Sequence, residues 1–208
     1  MGGAIAIGLI FAIMLNVFLT HTPPHLILDN SDPDYTFIQT SVPHLKVLVS
    51  KKADSYEAKA MRAIGMYQGE VVSWIEGWVR GDMRVLYVAN ATLGVNLIGM
   101  AVGYYVRKEN GGRIDMVIDD EEYRVMTEKN IKKMEEAHSI EIPYGILKSV
   151  KDVKEEYDLV VIESDFPEKY DIRPERLVLV TKSTFDRSII IDRYGSYKKY
   201  SISQGTEN

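Results

Sequence analysis

The sequence contains no cysteine in its 208 residues. That excludes disulfide scaffolds, thiolate metal sites and cysteine nucleophiles. Basic residues are missing from the first 45 positions; the first is Lys46, and all 25 lie there or later. Acids are scarce in the same region, where only Asp29, Asp32 and Asp34 occur. A net charge of −5 offers no surplus of cations to hold the phosphates of long DNA or RNA. The four histidines (His21, His25, His44 and His138) have no metal-ligand spacing, and no serine–histidine–aspartate triad is signalled. Neither a metal nor a catalytic residue is expected. What is present is 46% apolar content, enough for the core of one full-size domain.

The uncharged run GGAIAIGLIFAIMLNVFLT (2–20) is long enough, at about 28 Å as a helix, to cross a bilayer. HTPPH follows in place of a cleavage site, which argues against a signal peptide. Ala4, Gly8, Ala12, Asn16 and Thr20 recur every four residues and form one row. Small residues so spaced let helices pack closely in lipid, and an Asn can bond across the seam or line a pore; a lone anchor is the alternative. The expected layout is a transmembrane helix over 1–21, a linker over 22–25 and a folded domain over 26–208. Residues 158–208 would extend that domain. The protein would then sit in the inner membrane as a single-pass protein with its folded domain in the cytoplasm.

After the proline pair, LIL at Leu26–Leu28 reads as a short buried strand and DNSDPD at Asp29–Asp34 as a turn. Further strands are expected at Leu45–Ser50, Val85–Ala89, Ile114–Asp119, Tyr157–Glu163, Arg176–Lys182 and Ser188–Asp192. Helical patterns fill Ser55–Val79, Val95–Val106 and Glu128–Ala137. Strands alternating with helices, several of them apolar on both faces, predict an α/β fold with a mostly parallel sheet. The 22 uncharged residues between Arg84 and Arg107 could form a second span, but β-rich residues, a turn-like NATLG and spaced glycines favour strand, turn and helix.

In such a sheet ligands bind beyond the carboxyl ends of the strands. Three loops are candidates: Asn30, Ser31 and Asp32; Ser50, Lys51 and Lys52; and Asn90, Thr92, Leu93, Gly94 and Asn96. The last opens a helix whose first amides can hold a phosphate, with Asn96 available to read a base or ribose. Lys51 and Lys52 could neutralise further phosphates. Equally, Thr92 could simply cap the helix and Gly94 turn the chain. A P-loop is disfavoured, because no Lys-Ser or Lys-Thr pair stands at the helix start. Trp74 and Trp78, four apart, suit a core or a dimer seam.

The unit RVLYVANATLGVNLIGMAVGYYVRKENGGRIDMVI (84–118), with Thr92, Gly94 and Asn96 in a Thr-x-Gly-x-Asn loop, resembles the CRISPR-associated Rossmann-fold (CARF) domains. Joined to an N-terminal span, it is similar to the membrane-bound CARF effectors of type III CRISPR antiviral defence. The resemblance implies a homodimer, with higher assembly in the membrane, that binds a cyclic oligoadenylate such as cyclic tetra-adenylate. It implies no enzymatic activity and no cofactor; ligand binding would gate a pore or ion channel. A membrane-tethered ring nuclease and a degenerate ParA-like interaction domain are the alternatives.

Overall fold

The structure, a computed structural model, describes residues 22–67, 69–107, 110–153 and 157–163, with the strand segments 177–181, 189–192, 198–201 and 206–207. A short 3-10 turn, Pro24–Leu26, leads into a small antiparallel sheet. Its strands are β1 (Ile27–Asp29), β2 (Tyr35–Gln39) and β3 (Lys46–Ser50), paired in that order. The strand expected at Leu26–Leu28 is therefore shifted by one residue and is no core strand, since Leu28 is exposed. YTFIQ, unassigned from the sequence, supplies the middle strand because two cross-strand partners satisfy its backbone.

The helical stretch at Ser55–Val79 divides into α1 (Tyr56–Ile64) and α2 (Gly69–Trp78). Ser55 caps α1 by accepting the Ala58 N–H, and Gly65 ends it at φ 71°, a left-handed turn closed onto the Met61 carbonyl. A β-carbon on Gly65 would lie 3.1 Å from the Gln39 carbonyl, so glycine also lets the helix end meet the small sheet. Then follow β4 (Arg84–Val88), α3 (Leu97–Tyr105), β5 (Arg113–Val117), α4 (Glu121–His138) and β6 (Tyr144–Leu147). Asp120 starts α4 by accepting the Tyr123 N–H, which places the helix start seven residues before the Glu128 expected from charge pattern.

After β7 (Leu159–Glu163) come β8 (Leu177–Thr181), β9 (Ile189–Asp192), β10 (Lys198–Ser201) and β11 (Thr206–Glu207). The large sheet runs β11-β10-β9-β8-β7-β4-β5-β6. The strands from β6 through β5, β4 and β7 to β8 are parallel; β9, β10 and β11 add on by antiparallel pairing. The chain is thus an α/β fold with a parallel sheet. Buried apolar runs such as VLYV in β4 and LVVI in β7 fit strands covered on both faces. β4 and α3 occupy the stretch considered as a second span.

From β4 the chain builds outward to β5 and β6, then returns to the other side of β4 as β7. That reversal creates a crevice at the carboxyl ends of neighbouring strands. One face of the sheet, with the helices and the small sheet, encloses the main core, including Leu48, Met61, Ile75, Tyr87, Ile98 and Ile131. A smaller cluster, including Leu86, Val117 and Ile162, lies on the opposite face.

No helix among the described residues is long and apolar enough to cross a membrane. The run that suggested a span, with Ala4, Gly8, Ala12, Asn16 and Thr20, lies outside the described residues. The expected single-pass, inner-membrane placement is corrected accordingly: the described chain is a folded α/β domain without a spanning helix.

If the core is held by this packing, Leu97→Ala, at a fully buried position, should lower unfolding free energy by about 2–5 kcal/mol in urea titrations. Val125→Ala, on the exposed face of α4, should change it by less than about 0.5 kcal/mol.

Candidate functional site

The turn after β4 is built locally. Asn90 accepts hydrogen bonds at its side-chain oxygen from Thr92 N (3.2 Å) and Thr92 Oγ1 (2.7 Å), shaping a 3-10 turn over Ala91–Leu93. Gly94 follows at φ 66°, and a β-carbon there would collide with the Ala53 methyl. The Ser50 N–H donates to the Gly94 carbonyl at 2.9 Å, and Val49 bridges Val95. Ser55 Oγ donates to the Leu93 carbonyl at 2.6 Å. Arg62 completes the junction by donating to the carbonyls of Ser50 (2.7 Å) and Ala53 (2.8 Å). The loop after β3 is therefore pinned directly over the turn after β4.

Two of the residues singled out in that turn face inward. Asn96 is fully buried: its oxygen accepts the Gly99 N–H (3.1 Å) and its amide donates to Thr127 Oγ1 (3.1 Å). It caps α3, with its polar atoms committed inside the protein. Leu93 is core. Thr92 and Gly94 remain at the surface of the crevice.

The loop from Asp29 to Asp34 lies on α4 and on the loop after β3. Asp29 pairs with Lys133 (2.6 Å), Asp32 with Lys129 (2.8 Å) and Asp34 with Lys52 (2.6 Å). Lys51 Nζ donates to the carbonyls of Asp32 (2.7 Å) and Asn30 (3.4 Å). Asn30 Oδ1 accepts from Thr36 Oγ1, and Ser31 N donates to Asp29. The lysine partners hold the Asp29 and Asp32 carboxyls below the usual carboxylate range. The structure brings all three loops together, but Lys51 and Lys52 are engaged with the aspartate loop.

A crevice of about 350 Å³ opens between the small sheet and the carboxyl ends of β4 and β5. The small-sheet side contributes Tyr35, Ser50, Lys52 and Ala53; the turn after β4 contributes Ala91, Thr92 and Gly94. The start of α4 contributes Asp120, Glu122, Tyr123 and Met126. Two carboxylates thus face one ammonium that already has a carboxylate partner, so the wall is acidic. A larger hollow of about 610 Å³, beside Arg84, Arg113 and Tyr144, lies at the amino ends of the strands. There Arg113 is tied to Asp115 at 2.7 Å, and the sheet topology favours the carboxyl edge. Among the described residues no group of three or more His, Asp or Glu side chains could hold a metal ion.

Sequence reasoning missed Tyr35, Asp120, Glu122, Tyr123 and Met126. The signal for Asp120 and Glu122 was the acidic run directly after the apolar strand IDMVI. It also missed Glu163, which ends β7 beside β4 and is buried. Glu163 accepts hydrogen bonds from Tyr67 Oη (3.0 Å) and from Tyr87 Oη. Burial pushes its carboxyl up to about 7 against the lowering effect of both phenols, and Glu57 adds to the rise. The charged form is disfavoured because it loses hydration that two phenols replace only in part.

No family profile matches the chain, and no curated protein matches its sequence. It is similar to solved structures of methyltransferases. One, described as a protein-L-isoaspartate O-methyltransferase from Plasmodium falciparum in complex with S-adenosyl-L-homocysteine, is 10% identical, with TM-score 0.45, covering 82% of this chain and 76% of that one. A tRNA (uracil-54, C5)-methyltransferase from Pyrococcus abyssi, also with S-adenosyl-L-homocysteine, is 9% identical with TM-score 0.44; 72% of this chain and 34% of that one are covered. Magnesium protoporphyrin IX methyltransferase from Synechocystis PCC 6803, with bound S-adenosylmethionine, is 13% identical with TM-score 0.40; coverage is 60% and 62%.

The CARF reading, with its cyclic oligoadenylate sensor of CRISPR defence, its pore and its expectation of no enzymatic activity and no cofactor, is corrected here: the similar solved structures are described as methyltransferases and not as such sensors. The crevice itself is physically unsuited to the expected ligand. A ring of four phosphates would meet Asp120 and Glu122, while Lys51, Lys52 and Asn96 are already bonded within the protein. Identities this low leave any activity to be argued from the site.

The buried Glu163 has a thermodynamic consequence. The folded chain keeps a proton that the unfolded chain releases near pH 4.5, so its contribution to stability falls as pH rises from about 4.5 to about 7 and is level above. The loss is of order 3 kcal/mol. Urea midpoints measured across that interval should show the slope, and Glu163→Gln should flatten it.

Proposed function

We propose that the crevice between the small sheet and the carboxyl ends of β4 and β5 binds S-adenosylmethionine, and that the protein is a methyltransferase-type enzyme. The observation that carries this reading is the charge of the crevice at the carboxyl edge of an α/β sheet. Asp120 and Glu122 line it, and Lys52, its one cation among the described residues, is paired with Asp34. ATP and nicotinamide dinucleotides bring several phosphates, which such a wall repels. S-Adenosylmethionine is a nucleoside without phosphates and brings a positive sulfonium. The volume lies within the usual range for small-molecule sites.

The residues present fit that group in kind. Asp120 uses one carboxylate oxygen to cap α4, at 2.7 Å from Tyr123 N, and its second oxygen can accept from a ribose hydroxyl. Glu122 is exposed on the same helical turn. Tyr123, Met126 and Ala53 offer apolar surface for a base. When bound, the cofactor supplies an electrophilic methyl group; this chain's residues would bind its nucleoside and shield it.

Calorimetry with S-adenosylmethionine and S-adenosylhomocysteine tests the reading, with micromolar binding expected. Asp120→Asn keeps an equally good helix cap but removes the charge, so it should weaken S-adenosylmethionine binding roughly tenfold at unchanged stability. Cyclic tetra-adenylate and NAD should give no heat. Failure of both adenosyl ligands to bind would overturn the proposal.

A further inference from the structure

The buried acid Glu163 is connected to the crevice by two routes. β7 and β4 pair in parallel with Ile162 level with Val88, which sets Glu163 beside Ala89. Neighbouring strands stand about 4.8 Å apart, so the acid is one strand spacing from the chain as it enters the turn that walls the crevice. Glu163 shares a face of the sheet with Val161 and Tyr87, the face that encloses the main core. The second route is made of phenols. The Glu163 carboxyl accepts from Tyr87 on β4 and from Tyr67 in the connection between α1 and α2. The Tyr87 hydroxyl lies within hydrogen-bonding reach of Tyr123 on α4. Tyr123 donates to the Val95 carbonyl at 2.9 Å and stands in the crevice wall. Two phenols therefore separate the buried acid from an occupant of the crevice.

The groups that face Glu163 are these tyrosines and Glu57, which α1 also buries. Neither kind supplies a positive charge: phenols donate hydrogen bonds, and a second carboxylate repels. A cation brought to the far side of the phenols favours the ionised acid, because charges inside a protein attract through far less dielectric than water. By linkage, the ionised acid favours the cation in equal measure. We infer that Glu163 is a specificity-determining residue that makes the crevice prefer a positively charged nucleoside over a neutral one of nearly the same shape. This rests on the nucleoside reading of the crevice and deepens it, since the sulfonium of S-adenosylmethionine and the thioether of S-adenosylhomocysteine differ by that charge. Asp120 and Glu122 on the wall also favour a cation. Glu163 adds a share that varies near neutrality: below about 7 it is protonated and adds nothing, and above it is ionised and adds preference.

Calorimetric affinities of the full chain for S-adenosylmethionine and S-adenosylhomocysteine, measured from about pH 6 to about pH 8, test this. The affinity ratio in favour of the cation should rise roughly fivefold more over that range in wild type than in Glu163→Gln. Asp120, Glu122 and the ligands' own amino and carboxyl groups are common to both proteins and cancel in the comparison. Tyr67→Phe removes one donor to the ionised carboxyl, so the midpoint of the rise should move to higher pH. A merely structural role would leave that midpoint where it is, and this variant decides the matter if Glu163→Gln does not fold. An equal rise in wild type and Glu163→Gln, or an unmoved midpoint in Tyr67→Phe, overturns the inference and leaves the cofactor reading standing. Failure of both ligands to bind the wild type overturns both.

Discussion

The hydrogen bond from the Ser50 amide to the Gly94 carbonyl, 2.9 Å long, ties β3 of the small sheet to the turn after β4, beside the bridge between Val49 and Val95. Much of the crevice depends on that junction. It requires the chain at Gly94 to take φ 66° and to have no β-carbon, because the Ala53 methyl occupies that space. Arg62 braces it from α1 through two carbonyls, and Ser55 ties the cap of α1 to Leu93. Three aspartate–lysine pairs then fasten the far side of the small sheet. Such exposed pairs contribute little each to stability. Their value here is positional, since they fix where the small-sheet side of the crevice stands.

Polar groups that the core encloses fall into two kinds. Asn96, Thr127 and Asn130 join elements: Asn96 bonds Thr127, and Asn130 accepts the Leu48 amide at 3.2 Å, docking the edge strand β3 of the small sheet on α4. Glu163 is different. It is an acid held by two phenols at the end of β7, where a neutral apolar residue would avoid the cost of burying a charge. Its location beside the point where strand order reverses sets it beneath the edge where ligands bind in this class of sheet.

Much of the architecture was legible in the sequence. The apolar runs VLYV and LVVI, the turn ANATLG and the apolar stretch after it mark β4, β7 and α3 almost to the residue, because each is decided by local pattern and burial on both faces. β2 was hidden because YTFIQ has no clean alternation and needs partners on both sides to become a strand. Asn96 misled for a related reason: an Asn at a helix start is equally suited to hold a ligand or to cap the helix, and here it caps. Lys51 and Lys52 looked like free cations because their partners, two backbone carbonyls for Lys51 and the Asp34 carboxylate for Lys52, lie about twenty residues away in the chain.

Composition and pattern alone determined that this is an α/β chain with a parallel sheet, that it forms no thiol chemistry, and that a turn with a single glycine follows its central strand. Those are properties of short segments, where neighbouring residues set the outcome. The tertiary structure alone decided what that edge of the sheet can bind. Tyr67 and Glu163 stand 96 residues apart, and Lys133 and Asp29 stand 104 apart. Only folding brings them together, and only then is it settled which charges are spent on each other and which remain to face a ligand. The acidic run after β5 is visible in the local sequence, but that Lys52 beside it is spent on Asp34, leaving the wall acidic, is not.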